Sequence, residues 1–379
     1  MEYRKFEKLG IKTSLLGFGC MRFAQQKDGS IRVKRAGQLI DVAYQNGVNY
    51  FDTAYNYLNG ESEKFTGAAL AKYDRSSYYL ATKLPFWLIN SLEDAKGIFH
   101  RQLESLNKDY IDFYLLHAMG RESFDKMAGL GVLEFLDDMK AESKIRYLGF
   151  SFHDDYDAFS YILNFRKWDF CQIQLNYMDT DIQAGMKGYA LTEKMNVPLI
   201  IMEPVKGGSL AKLPDSAARY FKTTAPKQSL SSWALRWVAS LPNVKVVLSG
   251  MSNQVQLQDN LDTFSNFQPL SETDYQVVDN AVKVLKNRVK NGCTGCSYCM
   301  PCPSGVNIPH NFRIWNDYGM YRHPYETRWF WRNDISEQAK AKNCTECGKC
   351  EKMCPQKIKI REDLKALQKE LDTAIAELK

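Results

Sequence analysis

Between Leu15 and Ser249 the chain carries eight short apolar runs rich in β-forming residues, separated by longer stretches of helical character. They are Leu15–Gly19, Val48–Asp52, Tyr78–Lys83, Tyr110–His117, Ile145–Phe150, Phe170–Leu175, Pro198–Met202 and Val244–Ser249. Segments such as LIIM and VKVVL are apolar at nearly every position, as a strand must be when both its faces are covered. Eight such strands alternating with helices, in about 250 residues, predict a parallel (β/α)8 barrel. On periodicity alone, an open doubly wound sheet is the alternative. Residues 2–14 precede the first run and are expected to form a hairpin under the barrel floor. Ser91-Leu92-Glu93-Asp94 reads as a capping box, and Asn46-Gly47 as a helix stop.

The chain has 379 residues, more than one barrel needs. Ser271–Lys290 reads as a further helix, after which the composition changes, so the boundary is expected near 286. That gives a barrel domain, 1–285, and a small α-helical and loop domain, 286–379. Arg361–Lys379 reads as a charged amphipathic cover helix. A chain with 45% apolar and 25% charged residues is neither collagenous nor a disordered tail. No apolar run approaches the roughly 20 residues of a membrane helix, and MEYRKFEKLG is too charged for a secretion signal. A cytoplasmic protein with no membrane partner is the expectation.

In a parallel barrel, chemistry gathers where strands end. Asp52 ends the second run in FDTAYNY, Lys83 the third in ATKLP and His117 the fourth in LLHAM. Tyr57 lies five residues beyond Asp52. Each strand end is one strand–helix unit from the next, so the four side chains are expected at one mouth. A free tyrosine has a pKa near 10 and exchanges protons poorly at neutral pH unless a cation stabilises its phenolate. A lysine does that, an aspartate keeps the lysine charged, and a histidine orients a carbonyl oxygen. Such a set protonates a ketone or aldehyde, while the hydride must come from a cofactor.

FDTAYNY with GESE after it, ATK and DFYLLH resemble the aldo-keto reductase family over residues 1–265. The resemblance implies a barrel that binds NADP(H) without a Rossmann fold and interconverts carbonyls and alcohols. It makes Tyr57 the proton donor, Lys83 and Asp52 its tuning pair, and His117 the substrate-orienting residue. No GxGxxG is present, which agrees. By the same resemblance Ser151 and Gln172 would hold the nicotinamide amide, and Met202 takes the place of a stacking tyrosine. The usual asparagine after the serine is replaced by Phe152, with His153 next. The pyrophosphate is expected near Gly207, Gly208, Ser209 and Leu210. Adenosine would meet Ser249, Gly250, Ser252, Asn253, Gln256 and Asn260. That last loop lacks the Lys or Arg that grips a 2′-phosphate, so the choice between NADP and NAD stays open. Trp87, Phe86 and Tyr55 are expected as pocket walls.

Eight of the ten cysteines lie between Cys293 and Cys354. Cys344-x2-Cys347-x2-Cys350-x3-Cys354-Pro has the spacing of a bacterial ferredoxin, in which the fourth cysteine reaches the other cluster when two are present. Cys293, Cys296, Cys299 and Cys302 form a similar run that ends one residue short, leaving its ligand assignment open. Zinc is the alternative, but two tight four-cysteine runs ending in proline favour two [4Fe–4S] clusters. From residue 286 onward there are 17 Lys and Arg against 11 Asp and Glu, which accounts for the whole net charge of +6. We read this excess as offsetting anionic clusters, not as a nucleic-acid surface. Trp329, Phe330 and Trp331 are expected to pack the small domain onto the barrel. The module resembles a two-cluster ferredoxin domain, and the whole chain the ferredoxin-linked aldo-keto reductase subgroup.

The expected function is NAD(P)H-dependent reduction of an aldehyde or ketone, or oxidation of the alcohol, beside an iron–sulfur module that serves structure or a redox partner protein. The alternative is an electron-transfer or partner-docking protein whose barrel senses nucleotide. Clusters pass single electrons and nicotinamide a pair, and no motif demands the flavin that would bridge them.

Overall fold

The computed structural model describes residues 1–378. A two-stranded antiparallel hairpin, β1 (Tyr3–Phe6) and β2 (Ile11–Ser14), precedes a closed eight-stranded parallel barrel. Its strands are β3 (Leu16–Gly19), β4 (Tyr50–Asp52), β5 (Tyr79–Pro85), β6 (Ile111–Met119), β7 (Ile145–Phe152), β8 (Phe170–Gln174), β9 (Leu199–Met202) and β10 (Val244–Ser249). Each expected run overlaps one strand, and β5, β6 and β7 continue two residues beyond theirs. β10 pairs with β3 through Val247 and Leu16, which closes the ring and excludes the open sheet.

The interior is filled by large side chains from several strands. Phe113 sits among Phe6, Tyr50 and Phe170, with ring centroids 5.7, 5.0 and 4.9 Å away. Phe6 comes from the hairpin, and its inclusion in this core explains how residues 2–14 close the floor. With its base sealed, the barrel has one open end for chemistry, the end where Asp52, Lys83 and His117 lie.

Helix boundaries follow local chemistry. The helix Leu92–Leu106 begins in a capping box, with Ser91 Oγ accepting from the Asp94 N–H and Asp94 accepting from the Ser91 N–H. The helix Val33–Gln45 ends at Asn46, and Gly47 follows at φ +90°. A Cβ there would lie 2.6 Å from the Tyr3 hydroxyl, so glycine is required on two counts.

The chain forms two compact units. One comprises Met1–Gly207 with Ser231–Tyr275, and the other Gly208–Leu230 with Gln276 onward. The second unit thus takes in a segment lying between β9 and β10. Its core is built from the helices Ile308–Tyr321, Pro324–Asn333 and Ile360–Ala376, which bury Phe312, Trp315, Trp331, Leu364, Leu367 and Leu371. The last helix is therefore part of this core. Trp331 packs within the cysteine-bearing unit itself, whereas Trp329 and Phe330 are 58% and 39% exposed. On a helix, neighbours one and two residues apart face different directions, so the three aromatics do not act as one packing patch.

Candidate active site

β4, β5 and β6 bring Asp52, Lys83 and His117 to one end of the barrel, and a tight turn adds Tyr57. Lys83 is 1% exposed. Its ammonium donates to Asp52 Oδ1 at 2.5 Å, to the Thr53 carbonyl at 2.8 Å and to the Tyr57 hydroxyl oxygen at 3.2 Å. All three ammonium protons are thereby committed. Tyr57 starts a turn in which Leu58, Asn59 and Gly60 have φ of +53°, +59° and +87°. Two of these are strained positions for side chains bearing a Cβ. The turn is held by Ser62, which shares a hydrogen bond with Thr53 Oγ1 and donates to the Cys20 carbonyl.

Burial raises Tyr57 above the usual phenol range; Lys83 pulls it back and Asp52 offsets part of that pull. The phenol is thus protonated at neutral pH, not the preformed phenolate that a lysine neighbour alone suggests. Burial works to lower Lys83, but Asp52 and Tyr57 together outweigh it and keep the ammonium charged. His117 is pushed down to about 2 by burial, with Lys83 and His153 adding to the effect. It is a neutral imidazole. Its ring lies 6.1 Å from that of Tyr57 and 5.0 Å from that of Trp87, and Nδ1 has no hydrogen-bond partner among the described residues. Trp87 is 41% exposed and carries Phe86 against it, so the two form a wall beside His117.

The expected cofactor residues fall into three groups. Ser151 and Gln172 are buried in β7 and β8. Ser151 Oγ accepts from the Ala118 N–H at 2.7 Å, and Gln172 Nε2 lies 3.5 Å from Met202 Sδ. Gln172 Oε1 is buried without a partner among the described residues, an acceptor waiting for a donor. Phe152 points away from this group and packs on Phe159, 5.1 Å away, so its side chain does not replace an asparagine at the mouth. In the second group, Gly207 and Gly208 turn at φ +65° and +114°, Leu210 is buried, and Ser209 Oγ donates to Glu326 Oε2 at 3.4 Å. In the third, Asn260 donates to Ser249 Oγ at 2.6 Å; Ser252 donates to Gln256 Oε1, and Asn253 caps the Gln256 N–H. Gly250 lies against Arg22, whose Cγ would be 2.7 Å from an added Cβ.

Sequence reasoning missed a layer behind Lys83. Glu63 Oε1 accepts from Thr82 Oγ1 at 2.5 Å and from Gln102 Nε2 at 2.7 Å; Gln102 also donates to the Lys83 carbonyl. Tyr114 donates to Gln102 Oε1. Burial raises the Glu63 carboxyl to about 7. Its only signal in the sequence was its place in GESE, where a surface helix start is the ordinary reading.

The second unit contains two cavities among its cysteines. One is lined by Cys293, Cys296, Cys299 and Cys354. The other is lined by Cys302, Cys344, Cys347 and Cys350, with Cys299 at its edge. Each cavity thus takes three cysteines from one run and the last from the other. Among the described residues no three His, Cys, Asp or Glu side chains converge tightly enough for one metal ion; the sulfurs line walls.

A closed parallel barrel with a buried Lys–Asp pair and a tyrosine at its mouth defines a class of barrel oxidoreductases. Residues 15–283 match the model of the Aldo/keto reductase family, and residues 292–358 that of a 4Fe-4S dicluster domain. The chain belongs to the aldo/keto reductase family and is an oxidoreductase fused to a ferredoxin-type dicluster domain. It is 25% identical over 315 residues to an uncharacterized oxidoreductase, YqkF, of Bacillus subtilis, covering 75% of this chain and 97% of that protein. It is 23% identical over 329 residues to L-galactose dehydrogenase of Arabidopsis thaliana, covering 81% and 98%. Among solved structures, the holo form of aldo-keto reductase AKR11C1 from Bacillus halodurans superposes with a TM-score of 0.62 at 24% identity, covering 74% of this chain and 96% of that one. Among the described residues no helix is long and apolar enough to cross a membrane.

Proposed function

We propose that the barrel interconverts a small aldehyde or ketone and its alcohol with a nicotinamide nucleotide, Tyr57 exchanging the proton. The observation that carries this is the Lys83 ammonium, whose three protons go to Asp52, Thr53 and Tyr57. Because Lys83 is the donor in its contact with Tyr57, the phenol's own proton is left for a substrate oxygen. The phenolate formed when that proton leaves lies 3.2 Å from a cation that cannot turn away. Asp52 keeps that cation charged and aimed. Neutral His117 supplies a ring N–H to the same substrate oxygen without adding a competing charge.

The nucleotide supplies the hydride when bound. Gln172 Oε1, buried and unpartnered, suits the N–H of its carboxamide, with Ser151 alongside. Gly207, Gly208, Ser209 and Leu210 suit its pyrophosphate, and Ser249 to Asn260 its adenosine. The two cysteine-lined cavities suit one [4Fe–4S] cluster each, held by Cys293, Cys296, Cys299 and Cys354 in one and by Cys302, Cys344, Cys347 and Cys350 in the other. Clusters there supply single-electron transfer, which suits a redox partner protein in a reducing cytoplasm.

The test is a panel of aldehydes and ketones offered to anaerobically purified, cluster-loaded protein with NADPH and NADH, followed by nicotinamide absorbance. Alcohol formation matched to nucleotide oxidation is expected. Tight nucleotide binding with no turnover of any carbonyl overturns the proposal in favour of a nucleotide-sensing electron-transfer protein.

A further inference from the structure

We propose that Lys349, Lys352 and Met353, with Tyr298 beside them, form a docking surface for a small acidic electron-carrier protein. The carrier meets the chain at the cavity of Cys302, Cys344, Cys347 and Cys350, and not at the cavity that ends in Cys354. The inference rests on the reading of two cluster-bearing cavities above and deepens it, naming the chemistry of the partner and the cavity it approaches.

The two cavities are built from the same number of cysteines but differ in their rims. The residues lining the Cys354 cavity include no charged side chain. Its apolar lining, Ile308, Phe312 and Ile360 among it, is buried. The other cavity is lined by two cations, Lys349 and Arg361, and by no carboxylate. Arg361 pairs with Glu351 at 2.8 Å, and Lys365 pairs with Glu346 at 2.8 Å. Both acids that flank Lys349 in sequence are thereby committed. Among the described residues no ion pair engages Lys349 or Lys352. These two lie three residues apart on the helix Lys349–Met353 and share a face, with Met353 four residues from Lys349. Met353 and Tyr298 line the same cavity, yet 59% and 63% of their surfaces stay exposed.

Offsetting the charge of a cluster does not account for these lysines. Four thiolates at the Cys354 cavity would need the same cations, and that lining has none. An exposed aromatic and an exposed methionine beside unpaired lysines make a surface of another kind. The apolar pair gives contact area, while the lysines set the sign of the partner and speed the encounter. That sign is negative. Single-electron traffic at these cysteines requires a partner that gives or takes one electron at a time, which a flavin does. A small acidic flavin protein therefore meets both the charge of the surface and the chemistry beneath it.

The test is titration calorimetry of full-length, cluster-loaded protein with a flavodoxin, a small acidic flavin protein, as the probe. Binding is expected at low salt and should weaken at least about tenfold as ionic strength rises from about 0.05 to about 0.3 M. K349E/K352E is expected to weaken binding at least about tenfold, and the milder K349Q/K352Q about fourfold. Iron and sulfide content of each variant shows that its clusters are retained. R328E/R332E changes charge equally at two arginines that line neither cavity, and is expected to leave binding within about twofold. Equal losses in the lysine and arginine variants overturn the site in favour of bulk charge. A single-stranded oligonucleotide that binds tighter than the flavodoxin at the same salt overturns the partner in favour of nucleic acid. Absence of flavodoxin binding to cluster-loaded protein overturns the docking surface and leaves the two-cluster reading standing. Iron and sulfide well short of two clusters in the unaltered protein overturn that reading itself, so the two failures are distinguished.

Discussion

Lys83 donates to the Tyr57 hydroxyl oxygen at 3.2 Å while its remaining protons are held by Asp52 and the Thr53 carbonyl. The tyrosine thereby sits beside a cation with no freedom to leave, in a site where burial otherwise keeps the phenol protonated. This combination suits an acid that gives up its proton only when a substrate oxygen takes on charge.

Removing the cation leaves Asp52 buried and alone. Lys83→Met is expected to lower stability by about 3–5 kcal/mol, because an uncompensated carboxylate stays in the core. The double substitution with Asp52→Asn should recover part of that loss without restoring turnover. Denaturant midpoints of the two variants measure the stabilities. Equal stability of Lys83→Met and the unaltered protein contradicts the charged pair.

The pH dependence of stability separates two buried groups. His117, held near 2 in the fold, binds a proton below its ordinary value of 6.5 only after unfolding. Its contribution is therefore intact above about pH 6.5 and falls by about 1.4 kcal/mol for each pH unit below that. Glu63 runs the other way. Raised from 4.5 to about 7, it favours the fold below 4.5 and loses that contribution as pH rises through 7. Glu63→Gln retains an acceptor for Thr82 and Gln102 and is expected to gain on the order of 2 kcal/mol over the unaltered protein at pH 8. Chemical denaturation across pH 5 to about 8 reads both effects. A Glu63→Gln curve parallel to the unaltered one contradicts the second.

The crossing of the cysteine runs has its own signature. Cys354→Ser is expected to disturb the cluster of the first run, and Cys302→Ser that of the second. Each variant should keep close to half of the iron and sulfide, and the two should lose different electron paramagnetic resonance signals on reduction. Identical spectra for the two variants contradict the crossed assignment.

Glu326 places a carboxylate 3.4 Å from Ser209 Oγ, in the loop proposed for the pyrophosphate. A phosphate held by the Ser209 loop would share that loop with a carboxylate of the same sign, so Glu326→Gln is expected to tighten nucleotide binding a few-fold, most at low salt. Isothermal titration at two salt concentrations measures this. Weaker binding in the variant would show that the carboxylate supports the loop instead.

Much of this was legible from the chain. Continuous apolar runs marked all eight strands because parallel strands are covered on both faces, and strand-end spacing brought Asp52, Lys83 and His117 together. Tyr57 was legible as a loop residue five beyond Asp52, but its exact placement was not, since it depends on left-handed Leu58 and Asn59, which carry no turn signal as strong as glycine. Relationships across long separations were not legible. The contact of Ser209 with Glu326 and the Glu63–Gln102 layer each join segments that local patterns treat as unrelated. The tryptophans of α-helical YETRWFWRN misled for a similar reason: consecutive aromatics look like one patch, and helical geometry sends them in different directions.

The central claim is that Tyr57 gives the proton, and Tyr57→Phe tests it with the loss of one oxygen atom. On the carbonyl substrate that turns over best, the variant is expected to lose at least about a hundredfold in kcat while its nucleotide Kd stays within about twofold. A Tyr57→Phe protein that reduces the same carbonyl at the unaltered rate contradicts the account.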